Sequence, residues 1–275
     1  MLSYIRYELR ARRGSMIGWG LGVGFYVLMY SLFYPSLPTE FMDMDFSENQ
    51  LYQSLGNFEM ATFEAYIAST VLMFMVIIIA IYAVSDGTGT LVGEEENGTL
   101  ELMVTLPLHR WQIVVSKAAA LAVSGLVMLI AAALGGVFAT IAVNAQVETS
   151  LSTFDMVLPI LSAWPIVFII MMICLFFSAL MPQRRFAAGA GALVVVGSYL
   201  GNNLLPMIES MEGVTKLLPF HYYERSAAVF TEGIPVGDSA ILTVAAIVFL
   251  LLAIAAFSQR NLTTGLWLWQ RGKVA

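Results

Sequence analysis

The sequence predicts an all-α polytopic membrane protein, one continuous membrane domain over residues 1–275 with six transmembrane helices. Three observations predict it. The chain is 59% hydrophobic and only 12% charged, against roughly a quarter charged in a soluble domain, so a water-soluble globule of this length could not hide its apolar surface. Six apolar runs are each long enough to cross about 30 Å of hydrocarbon at about 1.5 Å per residue. The basic residues are sorted: with the N-terminus inside, eleven of the thirteen lysines and arginines fall on the cytoplasmic side and only Lys216 and Arg225 outside. An inverted topology would reverse that imbalance, which places both termini in the cytoplasm of a multi-pass cell-membrane protein.

The elements follow in order. Residues 1–13, MLSYIRYELRARR, put Leu2, Ile5 and Leu9 on one helical face and Arg6, Arg10 and Arg13 on another, the pattern of an N-terminal interfacial helix in the headgroup layer. The first span is expected over 16–37, with Gly14, Gly18 and Gly22 in one row and Gly20 and Gly24 one face over, offering another helix a close approach. Residues 38–61 carry Glu40, Asp43, Asp45, Glu48 and Glu59 and no basic residue, so this loop belongs outside. The second span is expected over 62–85, with Glu64 and Asp86 at its two ends.

The third span is expected over 111–143, with Lys117 reaching back to the interface, and the fourth over 157–181. A four-residue turn, Pro182-Gln183-Arg184-Arg185, leads to the fifth span, 186–205. Between Pro206 and Asp238 lie two short amphipathic pieces, Met207–Leu218 and Tyr222–Phe230, too short to cross and read as helices on the outer surface. The sixth span is expected over 239–258, and the tail sets Trp267 and Trp269 beside Arg260, Arg271 and Lys273, an interfacial anchor pattern.

Between the second and third spans stands a polar stretch that reads as a helix rather than a loop. Glu94, Glu95 and Glu96 precede Asn97-Gly98-Thr99, and Leu100, Met103, Val104 and Leu108 then fall on one side of a short helix over about 94–108. Pro107 ends it, because proline lacks an N–H and disfavours helical geometry in Leu106. An apolar face on so short a helix implies something that packs against it.

The residues exclude several functions. Almost no ionisable group falls inside the spans, whereas ion-coupled carriers need such groups at membrane depth. There is no GxxxxGK[ST] nucleotide loop, no HExxH and no GxSxG. The two histidines, His109 and His221, are expected on opposite sides of the membrane, so they cannot share a metal, and Cys174 sits inside an apolar run as a buried hydrophobe. No catalytic, cofactor-binding or metal-binding residue is assigned, nor any nucleic-acid partner.

The stretch Glu94-Glu95-Glu96-Asn97-Gly98-Thr99-Leu100-Glu101, continuing through Thr105-Leu106-Pro107-Leu108-His109-Arg110 to Lys117, closely resembles the cytoplasmic segment of ATP-binding-cassette permeases of the type 2 exporter family. The resemblance extends to the N-terminal helix, the six spans and Leu217-Leu218-Pro219-Phe220-His221-Tyr222-Tyr223, nearly the whole chain. It implies a permease half in membrane lipid, paired with a second permease chain, identical or related, with two separate ABC ATPase subunits that bind ATP and Mg below. It further implies that the short helix is a coupling helix seated on the ATPase through Glu94, Glu95, Glu96, Gly98, Thr99, Leu100, Glu101, Met103, Val104, Pro107 and Arg110. An exporter of this kind would be no enzyme in itself and would move a hydrophobic or amphiphilic substrate, an antibiotic, a drug-like compound or a lipid. Met29, Phe33, Met73, Phe74 and Tyr199, on the first, second and fifth spans, are the candidate lining of the path. Two other classes stay open: a membrane scaffold or sensor that binds a partner through the same helix without moving anything, and a polytopic enzyme of lipid metabolism.

The charge asymmetry generates a topology prediction. Cysteines introduced between residues 38 and 61 are expected to react with a membrane-impermeant maleimide on intact cells, while one at Arg185 is shielded until the membrane is opened; the reverse pattern would invert the assignment.

Overall fold

The computed structural model describes residues 1–38, 62–98, 109–208, 211–223, 228–231 and 233–260. Among the described residues six helices are long and apolar enough to cross a membrane, and no strand is present. The first, α1, runs without interruption from Leu2–Phe33. At about 1.5 Å per residue its 32 residues span about 48 Å, well beyond the hydrocarbon layer. The expected interfacial helix and the first span are therefore one continuous helix. The face its N-terminal turns pack into the bundle carries Tyr4 and Glu8, while Leu2 is 76% exposed. Polar partners described below hold Glu8 and Arg12 inward and decide the rotation.

The second span is one helical run wound in four parts, Phe63–Tyr66, then a π-helical stretch Ile67–Leu72, then α2 (Met73–Tyr82), then a second π stretch Ala83–Gly87. Thr62 caps its start, accepting the Ala65 N–H at 3.2 Å. A widened turn loosens the backbone ladder and leaves carbonyls for outside donors. The hydroxyls of Tyr26 and Tyr223 donate to the carbonyls of Thr70 and Leu72, at 3.3 and 3.4 Å. Tyr34 packs on both Phe63 and Tyr66, and the Tyr66 hydroxyl donates to the Tyr30 carbonyl at 2.8 Å. One end of α1 is thereby fastened to the second span by rings and hydroxyls. At the other end Thr88 and Thr90 bond back to Val84 and Asp86 and the run gives way to turns leading to α3 (Val92–Glu96).

The third span is α4 (Arg110–Asn144), within one residue of its expected limits at each end. His109 and Gln112 close a reciprocal cap at its start, with the His109 N–H donating to Gln112 Oε1 at 2.9 Å. The fourth span is broken: α5 (Val157–Ser162) and α6 (Trp164–Leu180) meet at Ala163, because Pro165 has no N–H to continue the ladder. The fifth and sixth are α7 (Arg184–Leu204) and α8 (Val236–Gln259). Between them the described residues form the single turns Leu205–Met207, Glu212–Thr215, Pro219–Tyr222 and Ala228–Thr231; the expected pieces Met207–Leu218 and Tyr222–Phe230 lie partly outside the described residues.

Two pairings dominate the bundle, α1 on α4 and α6 on α8. In lipid, burying apolar side chains gives little drive to helix pairing, so close backbone approach matters. A Cβ built on Gly24 would stand 2.7 Å from the Ala131 carbonyl oxygen, and one on Gly135 would collide with the Gly24 backbone. The row that packs inside the chain is thus Gly20 and Gly24, whereas a Cβ on Gly14, Gly18 or Gly22 meets nothing within 4 Å. α6 is the central post, with Ile166, Met171, Met172, Cys174 and Leu175 all fully buried. Gly87 lets the second span reach it, since a Cβ there would lie 3.0 Å from that of Cys174.

Gly24→Val is expected to lower the stability of the purified protein by about 1–3 kcal/mol through overpacking, read as an earlier thermal transition in detergent. Gly18→Val is expected to leave that transition in place; equal losses would show that the α1–α4 crossing does not depend on backbone contact.

Candidate functional site

The Glu94-Glu95-Glu96 run lies on α3, at the end of the bundle where the arginines gather. α3 is held from its first residues: the backbone N–H groups of Leu91 and Val92 both donate to Ser178 Oγ of α6, at 2.9 and 3.2 Å. It ends at Gly98, whose φ of +70° is the left-handed conformation glycine adopts without cost. Five residues of helix would not persist alone. Their side chains supply the rest of the hold.

Each of the three carboxylates engages a different element. Glu94 Oε1 accepts from Lys117 Nζ of α4 at 2.6 Å, and the same ammonium donates to Glu8 Oε1 of α1 at 2.9 Å. Lys117 is completely buried. Snorkelling to the interface, expected from its position, does not occur because two carboxylates converge on it from neighbouring helices. An ammonium taken out of water costs several kcal/mol and is tolerated only where paired and hydrogen-bonded.

Glu95 pairs with Arg260, just past α8, at 2.5 Å. Arg260 in turn donates to the carbonyls that close α6, Ser178 and Ala179 at 3.3 Å and Met181 at 3.1 Å. A cation suits those free carbonyls at a helix C-terminus. Burial depresses the Arg260 guanidinium pKa below its ordinary range, and the Glu95 carboxylate offsets part of that. Arg110 ties the α4 start to the same place, donating to the Arg260 carbonyl at 2.7 Å and to that of Ser258 at 3.1 Å. Glu96 Oε1 accepts the Arg184 N–H at 2.8 Å, one of the orphan donors at the start of α7, and the Arg184 side chain reaches the Ser85 carbonyl at 2.8 Å.

Arg12 extends the cluster to the second span. Its guanidinium is paired with Asp86, donates to Thr90 Oγ1 at 3.1 Å, and lies 3.6 Å from Glu8 one turn earlier on α1. Asp86 also accepts from the Tyr82 hydroxyl at 3.2 Å. Through these contacts the segment just before Gly98 is joined to all six crossing helices.

Of the residues expected to meet an ATPase, Glu94, Glu95, Glu96, Gly98 and Arg110 belong to this cluster or its edge. Thr99, Leu100, Glu101, Met103, Val104 and Pro107 lie outside the described residues. Glu8, Arg12, Asp86 and Arg260 complete the cluster and were not singled out as site residues. A usable signal existed for two of them, since Glu8 is the sole acid among the first thirteen residues and stands four before Arg12. The candidate path residues separate. Tyr199 donates to Met73 Sδ at 3.5 Å inside the bundle, Met29 is half-buried, and Phe33 and Phe74 point outward.

Six crossing helices and a charged, internally paired end define a multi-pass membrane protein. The chain matches the family described as ABC-2 family transporter protein over residues 2–268, and it belongs to that family. It is the permease subunit of an ABC transporter, the membrane part without an ATPase of its own, which associates with ABC ATPase subunits. Among curated proteins none matches the chain.

Removing the ammonium should show what the cluster contributes. Lys117→Met leaves two carboxylates facing each other in a buried site and is expected to cost about 3–5 kcal/mol, read as thermal unfolding of the purified protein. Adding Glu8→Gln and Glu94→Gln to that variant is expected to restore part of the loss; a Lys117→Met protein as stable as the parent would contradict the buried pairing.

Proposed function

We propose that the chain is one permease half of an ATP-driven exporter in the cell membrane, with both termini in the cytoplasm. It pairs with a second permease chain, identical or related, while two separate ATPase subunits bind ATP and Mg. The segment from Glu94 to Leu108 is the handle that the ATPase grips. Leu100, Met103 and Val104 give it an apolar anchor, Glu101 a charge at the rim and Pro107 a stiff exit toward α4.

The observation that carries this reading is the attachment of α3. Its three carboxylates reach α1 and α4, the end of α8, and the start of α7, so a displacement of the segment beyond Gly98 is delivered to several spans at once. A plain connecting loop would need none of these buried pairs. ATP-driven closure of the ATPases then becomes rearrangement of the paired bundles, as in other transitions that move packed elements as units.

The substrate is hydrophobic or amphiphilic. Among the described residues the buried acidic and basic side chains, Glu8 and Lys117, both sit at the α3 end. The remaining buried polar groups are serine, threonine and asparagine, which suit an apolar or amphiphilic passenger rather than a bare ion. Met29, Phe33, Met73, Phe74 and Tyr199 are the proposed lining, completed by the second permease half.

Leu100→Asp or Met103→Asp is expected to leave a stable inserted protein, to abolish co-purification of the ATPase subunit and to remove transport. An intact complex with normal flux would refute the handle. Retained ATPase with ATP turnover but no flux of any amphiphile would favour a scaffold or sensor instead.

A further inference from the structure

The N-terminal turns of α1 sort their charges by face. Glu8 and Arg12 turn inward and are consumed by Lys117, Asp86 and Thr90. Arg6, Arg10 and Arg13 are exposed, and among the described residues no carboxylate lies within ion-pair distance of any of them. Spacings of four and three place these arginines in one stripe along the helix.

What the stripe continues into gives it meaning. The next residues on the same line are Ile17, 55% exposed, and Leu21, 68% exposed. The described residues leave them largely exposed, and they stand inside the first span, where an exposed apolar side chain meets acyl chains. Because α1 is continuous through this region, the face that touches acyl chains at Ile17 and Leu21 turns basic one turn nearer the N-terminus. At about 1.5 Å per residue Arg13 sits about 6 Å beyond Ile17 and Arg10 about 10 Å beyond it, the depth of a headgroup layer next to hydrocarbon. Arginine reaches several ångströms further, with a planar fork suited to phosphate oxygens. Tyr7, 58% exposed beside the stripe, is an aromatic of the kind found at that level.

We propose that Arg6, Arg10 and Arg13 form a binding stripe for the phosphate headgroups of anionic glycerophospholipids. The occupant is lipid rather than protein because the stripe is collinear with lipid-facing side chains. An ATPase contact would require the partner to enter the headgroup layer on the outer face of α1. A zwitterionic lipid offers the same phosphate with its charge cancelled, so the stripe discriminates by net charge, and the discrimination weakens as salt rises.

The test is competition for the purified full-length chain. Protein in detergent is given an equal mixture of phosphatidylglycerol and phosphatidylcholine, and retained lipids are counted by native mass spectrometry. The parent is expected to retain phosphatidylglycerol preferentially. In R6Q/R10Q/R13Q that preference falls by at least about tenfold, whereas R6K/R10K/R13K keeps most of it. Inorganic phosphate at millimolar concentration does not displace the lipid. The proposal is overturned if the glutamine triple keeps the parent's preference, if free phosphate competes equally, or if the triple instead loses its ATPase subunit with lipid preference intact. Should the triple fail to insert, the single variants decide in the same assay: each lowers the preference by several-fold, or the stripe is not a lipid site. None of these readouts depends on transport, so the proposal and the exporter reading fail separately.

Discussion

A single ammonium group without access to water, that of Lys117, fixes how this end of the molecule is built. Its cost is several kcal/mol unless anions accompany it, and the anions come from two different places in the chain, Glu8 on α1 and Glu94 on α3. Once both are present, the N-terminal turns of α1, the short helix α3 and the third span cannot move apart without exposing or orphaning a charge. Arg12 with Asp86 and Arg260 with Glu95 repeat the arrangement on either side. What would otherwise be three loop connections becomes one body.

The same constraint explains the shape of α1. A headgroup-level helix lying flat would carry Glu8 away from Lys117; a helix continuous with the first span brings it beside the ammonium. Gly24 and Gly135 then let α1 and α4 touch backbone to backbone deeper in the bundle, so the crossing is set at one end by charge and in the middle by the absence of side chains. The family is that of permease subunits that associate with ATPase subunits, and under the proposed coupling a stiff junction beside the ATPase contact passes force on. Force applied to a compliant loop would be lost there.

Much of the architecture was legible in the sequence because membrane spans declare themselves by length and apolarity. The third span is recovered to within a residue and most others with limits that shift by a few, but the helix of the first span begins fourteen residues earlier than expected. The interruptions were less visible. Pro165 could have announced the break at Ala163, but the π stretches of the second span carry no residue signature; only in the first of them do tyrosine hydroxyls, those of Tyr26 and Tyr223, take up backbone carbonyls. The acidic run was recognisable as special from its position between spans, whereas its partners were not. Glu8, Lys117 and Arg260 are far apart in the chain, and an isolated Lys near a span end reads as a snorkelling residue until a second carboxylate is found opposite it. At the N-terminus the apolar row Leu2, Ile5 and Leu9 is legible in the sequence, whereas the face that packs on the bundle, Tyr4 and Glu8, is not, because Glu8 is drawn in by Lys117.

The central claim is that α3 belongs rigidly to its own bundle and carries the bundle with it. Spin labels at exposed positions Asn97, beside α3, and Arg185, at the start of α7, allow the claim to be read as a distance in the complex with its ATPase, with and without ATP. The account predicts that the Asn97–Arg185 separation within one chain holds constant while the separation between Asn97 and its counterpart in the proposed second permease half changes. A change within one chain as large as that between halves would mean that α3 slips against the spans, and the junction described here would not be the transmitter.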